Sequence, residues 1–229
     1  GSLLAETGHT WFRPDSNVRY IGMHWLLLPD GRYVSRYPPG LAVPVAAVYR
    51  AFGPRAAILI NPLLALAALA GLYLLARRWV SPLWAWTAAA LLAATPTFLR
   101  HALNCDSHMA VTFLLVWGLW ALIHWSQSRK RSWLFAAAVL LGAIPTVRYP
   151  EAVYGLAVAV FILLHLRAEK RAAIDLLAAA AGAAVPLLPL LVRNQLLFGA
   201  FWRTAYSLTN EQTGFAWSYF RQHAAPYVH

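Results

Sequence analysis

Four short clusters in this sequence combine cations, a carboxylate and amides in ways that could do chemistry. They are Arg36-Tyr37-Pro38-Pro39, Arg100-His101 through Asp106-Ser107-His108, Arg148-Tyr149-Pro150-Glu151, and Arg193-Asn194. A guanidinium is a fixed cation with a planar fork of donors suited to phosphate. Arg36, Arg100 and Arg148 are therefore candidate phosphate-binding groups. Asp106 is the candidate catalytic carboxylate; it could orient a hydroxyl or, as a hard oxygen donor, ligate a divalent metal ion. Tyr37, His101, His108, Arg193 and Asn194 are candidate contacts for an acceptor or a lipid carrier.

Each cluster also admits a structural reading. Asp106 precedes an apolar run and fits the positive end of a helix dipole equally well. Arg36 could snorkel to lipid headgroups. Glu151 reads best as the partner of Arg148 in a turn, and interfacial capping accounts for Asn194. Asp175, at the start of the last apolar run, is explained by the helix dipole. His124 and His165, near span ends, read as structural.

The elements that must carry these residues are apolar. Hydrophobic residues make up 60% of the 229-residue chain and charged residues 12%, about half the charge a soluble domain uses. Apolar stretches near bilayer length recur at about 56–76, 82–98, 107–125, 133–147, 151–166 and 173–192. The expected fold is all-α: a polytopic helical membrane bundle of about six transmembrane helices plus an external juxtamembrane helix. Residues 1–37 form an external loop segment, with a turn at Asp30-Gly31 between hairpin-like flanks. Residues 38–55 hold a juxtamembrane or re-entrant helix too short to cross. Residues 56–192 form the six-helix transmembrane domain and 193–229 a second external segment. Pro186 and Pro189 predict a kink or break in the sixth span.

Charge placement orients the bundle. Eight Lys and Arg residues fall in three short loops, Arg77/Arg78, Arg129–Arg131 and Arg167–Arg171, and the positive-inside rule assigns those loops to the cytoplasm. The four chemical clusters then lie together on the opposite face. The same rule absorbs much of the net charge of +11, so nucleic acid is not an expected partner. The single cysteine, Cys105, excludes an internal disulfide framework.

The order of these motifs resembles the glycosyltransferase-C superfamily. Within it, the chain is most similar to the bacterial branch related to protein O-mannosyltransferases and aminoarabinose transferase. Asp30-Gly31-Arg32-Tyr33-Val34-Ser35-Arg36-Tyr37-Pro38-Pro39-Gly40 matches the branch's Lys/Arg-x-Pro-Pro-like element, which a short juxtamembrane helix and a span near Gly-Pro-Arg follow. Ala94-Thr95-Pro96 leading through Arg100-His101 to Asp106 looks like its segment ending in an external Asp. Arg193-Asn194 with Phe198-Gly199 looks like its Arg-Asn-x-x-x-Phe-Gly element.

The resemblance implies transfer of a sugar from a polyprenyl-phosphate carrier to an acceptor at the periplasmic face of a bacterial inner membrane. The partners it implies are the bilayer and the lipid-linked donor. The rival class is a membrane transporter or lipid flippase, which would need polar groups at mid-membrane; here they gather at one face. One departure stands out: the acidic catalytic motif of the family's first external loop is absent. We therefore expect a piece of a longer chain, with the general base upstream of residue 1 and no activity in the piece alone.

Overall fold

The computed structural model describes residues 1–14, 24–167 and 172–208, together with Trp217 and Arg221. Lys170 and Arg171 of the third basic loop, and most of residues 209–229, lie outside the described residues. The chain opens with α1 (Ser2–Thr7), followed by three short strands, β1 (Trp11–Phe12), β2 (Trp25–Leu27) and β3 (Tyr33–Ser35). The helices are α2 (Ala42–Phe52), α3 (Pro54–Ile58), α4 (Ile60–Ala76), α5 (Pro82–Ala93) and α6 (Pro96–Leu103), then α7 (His108–Ser128) and α8 (Arg131–Val147). A 3-10 turn (Pro150–Val153) leads into α9 (Tyr154–Leu166), and α10 (Ala172–Phe198) completes the bundle.

The fold is a helical membrane bundle. Pro54–Ala76, His108–Ser128 and Ala172–Phe198 are long and apolar enough to cross a bilayer alone. α8 and the Pro150–Leu166 segment have 17 residues each, about 25 Å against a hydrocarbon core of roughly 30 Å. The apolar core runs between α7, α8 and α9, through Leu122, Trp125, Leu134, Ile144 and Leu166. α10 lies along α8 at backbone distance: a Cβ on Gly182 would stand 2.6 Å from the carbonyl oxygen of Phe135.

The second expected span is not one helix. α5 and α6 meet at a bend of 67°. Thr95 precedes Pro96 and is extended, at ψ 125°, because the proline ring disfavours the helical conformation in the residue before it. The Thr95 hydroxyl donates to the Leu91 carbonyl at 3.0 Å, which closes α5. In the sixth span the break is not seen: α10 runs for 27 residues through Pro186 and Pro189 as one helix.

The Asp30-Gly31 turn forms as expected. β2 and β3 pair antiparallel with Leu26 opposite Val34, and Gly31 takes the left-handed backbone at φ 80° that favours glycine. Asp30 accepts from the Arg32 backbone N–H at 3.0 Å. That bond, with the Arg32 guanidinium, holds its carboxyl below the usual range. β1 adds on the far side of β3, a strand the sequence did not suggest. Leu28 and Val34 pack on Phe198 and Ala205, so the hairpin sits on the end of α10.

The loops segregate to two ends. At one, Arg78 bonds Gln127 and His124, Arg129 donates to the His165 carbonyl, and Arg131 pairs with Asp175 at 2.6 Å. Asp175 is thus held by a cation as well as by its helix position, and it is buried. At the other end stand the hairpin, the 104–107 loop, the turn at 148–150 and the end of α10.

Candidate functional site

The site grows from Asn61, a buried amide at the start of α4. Its Nδ2 donates to the backbone carbonyls of Asn104 at 2.5 Å and Asp106 at 2.8 Å. These bonds fix the loop between α6 and α7, whose carbonyls no helix satisfies. Sequence reading missed Asn61. The signal was present, since a lone amide inside an apolar span is itself a functional flag. Replacing Asn61 with Leu should cost about 1–3 kcal/mol for the orphaned carbonyls. A thermal melt of the Asn61→Leu protein would show it, and an unchanged melting temperature would refute the pinning role.

Asp106 lies in that loop with both carboxylate oxygens engaged. Oδ1 accepts the backbone N–H of His108 at 3.0 Å, and Oδ2 pairs with His101 Nδ1 at 2.5 Å. The first bond caps the start of α7, which is the structural reading of Asp106. The second adds a histidine that a cap does not need. The His101 and His108 rings are in tilted contact, with centroids 4.1 Å apart. Arg148 Nη1 then stands 3.1 Å from His108 Nε2. A guanidinium can only donate, so this His108 nitrogen accepts. Arg148 Nε also donates to Glu151 Oε1 at 2.5 Å.

Elements distant in sequence thus bring Asp106, His101, His108, Arg148 and Glu151 into one chain of contacts. It borders a cleft of about 810 Å³. The walls include Tyr37 and Pro38 after the hairpin, Leu41 and Val45 on one side of α2, Asn61, and Asp106, His108 and Arg148. Gly40, just before α2, ties that segment to the end of α8: its N–H donates to the Thr146 carbonyl at 2.6 Å. The lining is mixed, apolar along α2 and α3 and polar at Asp106 and Arg148.

A second group lies beside the cleft. The Arg36 guanidinium sits 4.7 Å from the Tyr206 ring, and Tyr37 and Tyr149 touch the same ring at 6.1 and 6.0 Å. The Tyr149 hydroxyl donates to Asn194 Oδ1 at 3.2 Å. Burial, opposed by the neighbouring Arg193 charge and the Asn194 contact, pushes the Tyr149 phenol above its ordinary range. Nε and Nη2 of Arg193 are buried without a hydrogen-bond partner among the described residues.

Of the candidates from sequence, Tyr37, Asp106, His108 and Arg148 line the cleft, and His101 supports it. Arg36, Arg193 and Asn194 form the adjoining group. Arg100 belongs to neither. The bend before α6 leaves it exposed and outside the cleft walls. Among the described residues no group of three or more His, Cys, Asp or Glu side chains converges on a metal position.

A family model described as dolichyl-phosphate-mannose-protein mannosyltransferase matches residues 38–192, more than half of the chain and most of the cleft. No curated protein and no solved structure matches.

Proposed function

Because the chain belongs to the dolichyl-phosphate-mannose-protein mannosyltransferase family, a family of multi-pass membrane glycosyltransferases using polyprenyl-phosphate-sugar donors, we propose that the cleft is its donor site. The reaction proposed is transfer of a sugar from a polyprenyl-phosphate carrier to an acceptor hydroxyl at the periplasmic face of a bacterial inner membrane. Arg78, Arg129 and Arg131, gathered at the far end of the bundle, support that orientation through the positive-inside rule.

The carrying observation is the convergence of Arg148, His108 and Asp106 on one wall of a cleft that is apolar along α2 and α3. A lipid phosphate sugar needs both kinds of surface. In the reaction the acceptor hydroxyl gives its proton to a general base that the described cleft does not supply, its oxygen bonds to the anomeric carbon, and the bond from that carbon to the phosphate oxygen breaks. The phosphate, a singly charged diester before the step, leaves as a monoester and gains a second negative charge. A cation fixed beside it is therefore worth more in the transition state than in the ground state. Arg148 is that cation in this reading.

Asp106 acts here by position. With one oxygen on the His108 backbone N–H and the other on the His101 ring, it fixes the start of α7 and the imidazole that packs on His108, whose own ring meets Arg148, and is not itself free to take the acceptor's proton. The Arg36, Tyr149, Arg193 and Asn194 group adjoins the cleft through Tyr37 and Tyr206 and is assigned to the acceptor side.

The test is sugar transfer from a radiolabelled polyprenyl-phosphate sugar by the full-length enzyme in proteoliposomes. We expect donor-dependent transfer, with the Asp106→Asn protein slowed. Donor flux across the bilayer with no transfer would overturn the reading in favour of a carrier.

A further inference from the structure

We propose that the Arg148–Glu151 ion pair is a latch between two cavities: the donor's phosphate takes Arg148 from Glu151, and the apolar slot behind the latch receives the donor's prenyl chain. The inference rests on the polyprenyl-phosphate reading above and assigns Glu151, so far only a turn partner, a part in donor selection.

Arg148 lines the polar cleft. Glu151 lines a different cavity, of about 470 Å³, between α8, α9 and α10. Their bond of 2.5 Å therefore spans the border between the two. Among the described residues Glu151 is the one ionisable group lining the slot; its other walls are aliphatic or small, among them Ala138, Gly142, Gly155, Ala159 and Ala183. A slot of that lining suits a linear, methyl-branched hydrocarbon and excludes a sugar.

The pairing of Glu151 is incomplete. Oε2 is buried with no hydrogen-bond partner among the described residues, a costly condition for a carboxylate. A phosphate gives the guanidinium fork two oxygens in the geometry it prefers, so exchange of Glu151 for phosphate is favoured where a donor is present. α9 leaves room for a chain. Its buried residues, Ile162 and Leu166, lie in its second half, and a Cβ on Gly155 would meet open space. A lipid with its phosphate at Arg148 has its chain directed past Glu151 into that opening.

The test uses the full-length enzyme in proteoliposomes with two donors, a long-chain polyprenyl-phosphate sugar and its two-isoprene analogue. Gly155→Leu fills the slot at a position with space to accept it. We expect it to raise KM for the long-chain donor about tenfold, the equivalent of roughly two buried methylenes lost, and to leave KM for the short analogue unchanged. Glu151→Gln should lower KM for both donors, because Arg148 no longer has a competing carboxylate. Gly155→Leu acting on both donors alike, or on neither, would overturn the slot and leave it to ordinary acyl chains. A Glu151→Gln protein whose KM is unchanged or raised would overturn the latch. Wild-type enzyme that uses neither donor would defeat the donor reading itself, and the latch with it.

Discussion

Arg148→Ala should lower kcat by about 10²–10³-fold, the usual effect of removing one preorganised stabiliser of developing charge. The donor phosphate acquires its second charge only as the sugar departs, so the loss should appear in kcat more than in KM. The substitution also removes the partner of Glu151 and of His108, and Glu151 is 17% exposed. An orphaned carboxylate there would destabilise the turn, which confuses lost chemistry with lost fold. The double variant Arg148→Ala/Glu151→Ala separates them: its melting temperature should recover while its rate should not. Arg148→Lys retains charge without the planar fork and should fall between. Transfer assays beside thermal melts decide the matter, and a wild-type rate in Arg148→Ala would remove this residue from the mechanism.

Gly182→Val is expected to abolish the folded protein or lower its melting temperature sharply. A Cβ on Gly182 would come within 2.6 Å of the Phe135 carbonyl oxygen and 2.9 Å of Ala138 Cβ, and one on Gly142 within 3.0 Å of Ala183 Cα. The obstacle is backbone, which cannot rotate aside. The remedy is to move α10 off α8, and in lipid the association of these helices depends on close van der Waals contact between small residues. Overpacking a tight site costs about 1–3 kcal/mol and sometimes more; the branched Val belongs at the high end. Separation of the helices would also strain the nearby Arg131–Asp175 pair, which joins the first turns of α8 and α10. Gly155→Val, on a helix with open space at that position, is the control and should melt like wild type. Equal melting of all three proteins would show that α8 and α10 do not need this contact.

Local chemistry made part of this legible from sequence. The first two basic loops, most of the apolar stretches, the Asp30-Gly31 turn and the short helix after Pro38-Pro39 are each written in a few adjacent residues, and each appears among the described residues. Proline proved ambiguous for a physical reason. Pro96 ends a helix because Thr95 before it is extended and its hydroxyl closes the last turn of α5. Pro186 and Pro189 lie inside α10 without ending it, and a membrane helix tolerates proline when its surroundings stabilise the freed backbone groups. Hydropathy averages over a window and does not distinguish the two cases.

The site was legible as a set of residues and not as an arrangement. Arg100 and Arg148 are the same residue type on loops assigned to the same face. Only the 67° turn of α6 puts one outside the cleft, while the end of α8 puts the other in its wall. The contact between Arg148 and His108 joins positions 40 residues apart, and no spacing rule reaches that far. Asn61 could have been found, since a buried amide in an apolar run needs partners, but which carbonyls it serves is a property of the packed chain.

The unequal lengths of neighbouring helices have a consequence for the lipid around them. α10 has 27 residues and α8, packed along it, has 17, which corresponds to about 40 Å and 25 Å. One overshoots an ordinary hydrocarbon layer and the other undershoots it, so tilt relieves the first and a local pinch in the bilayer accommodates the second. A pinch beside α8 would bring the headgroup plane down to the turn that carries Arg148. In the donor reading proposed above, membrane thickness would then become a variable of the reaction: thin bilayers would favour the meeting of lipid phosphate and guanidinium, and thick ones would hold the two apart.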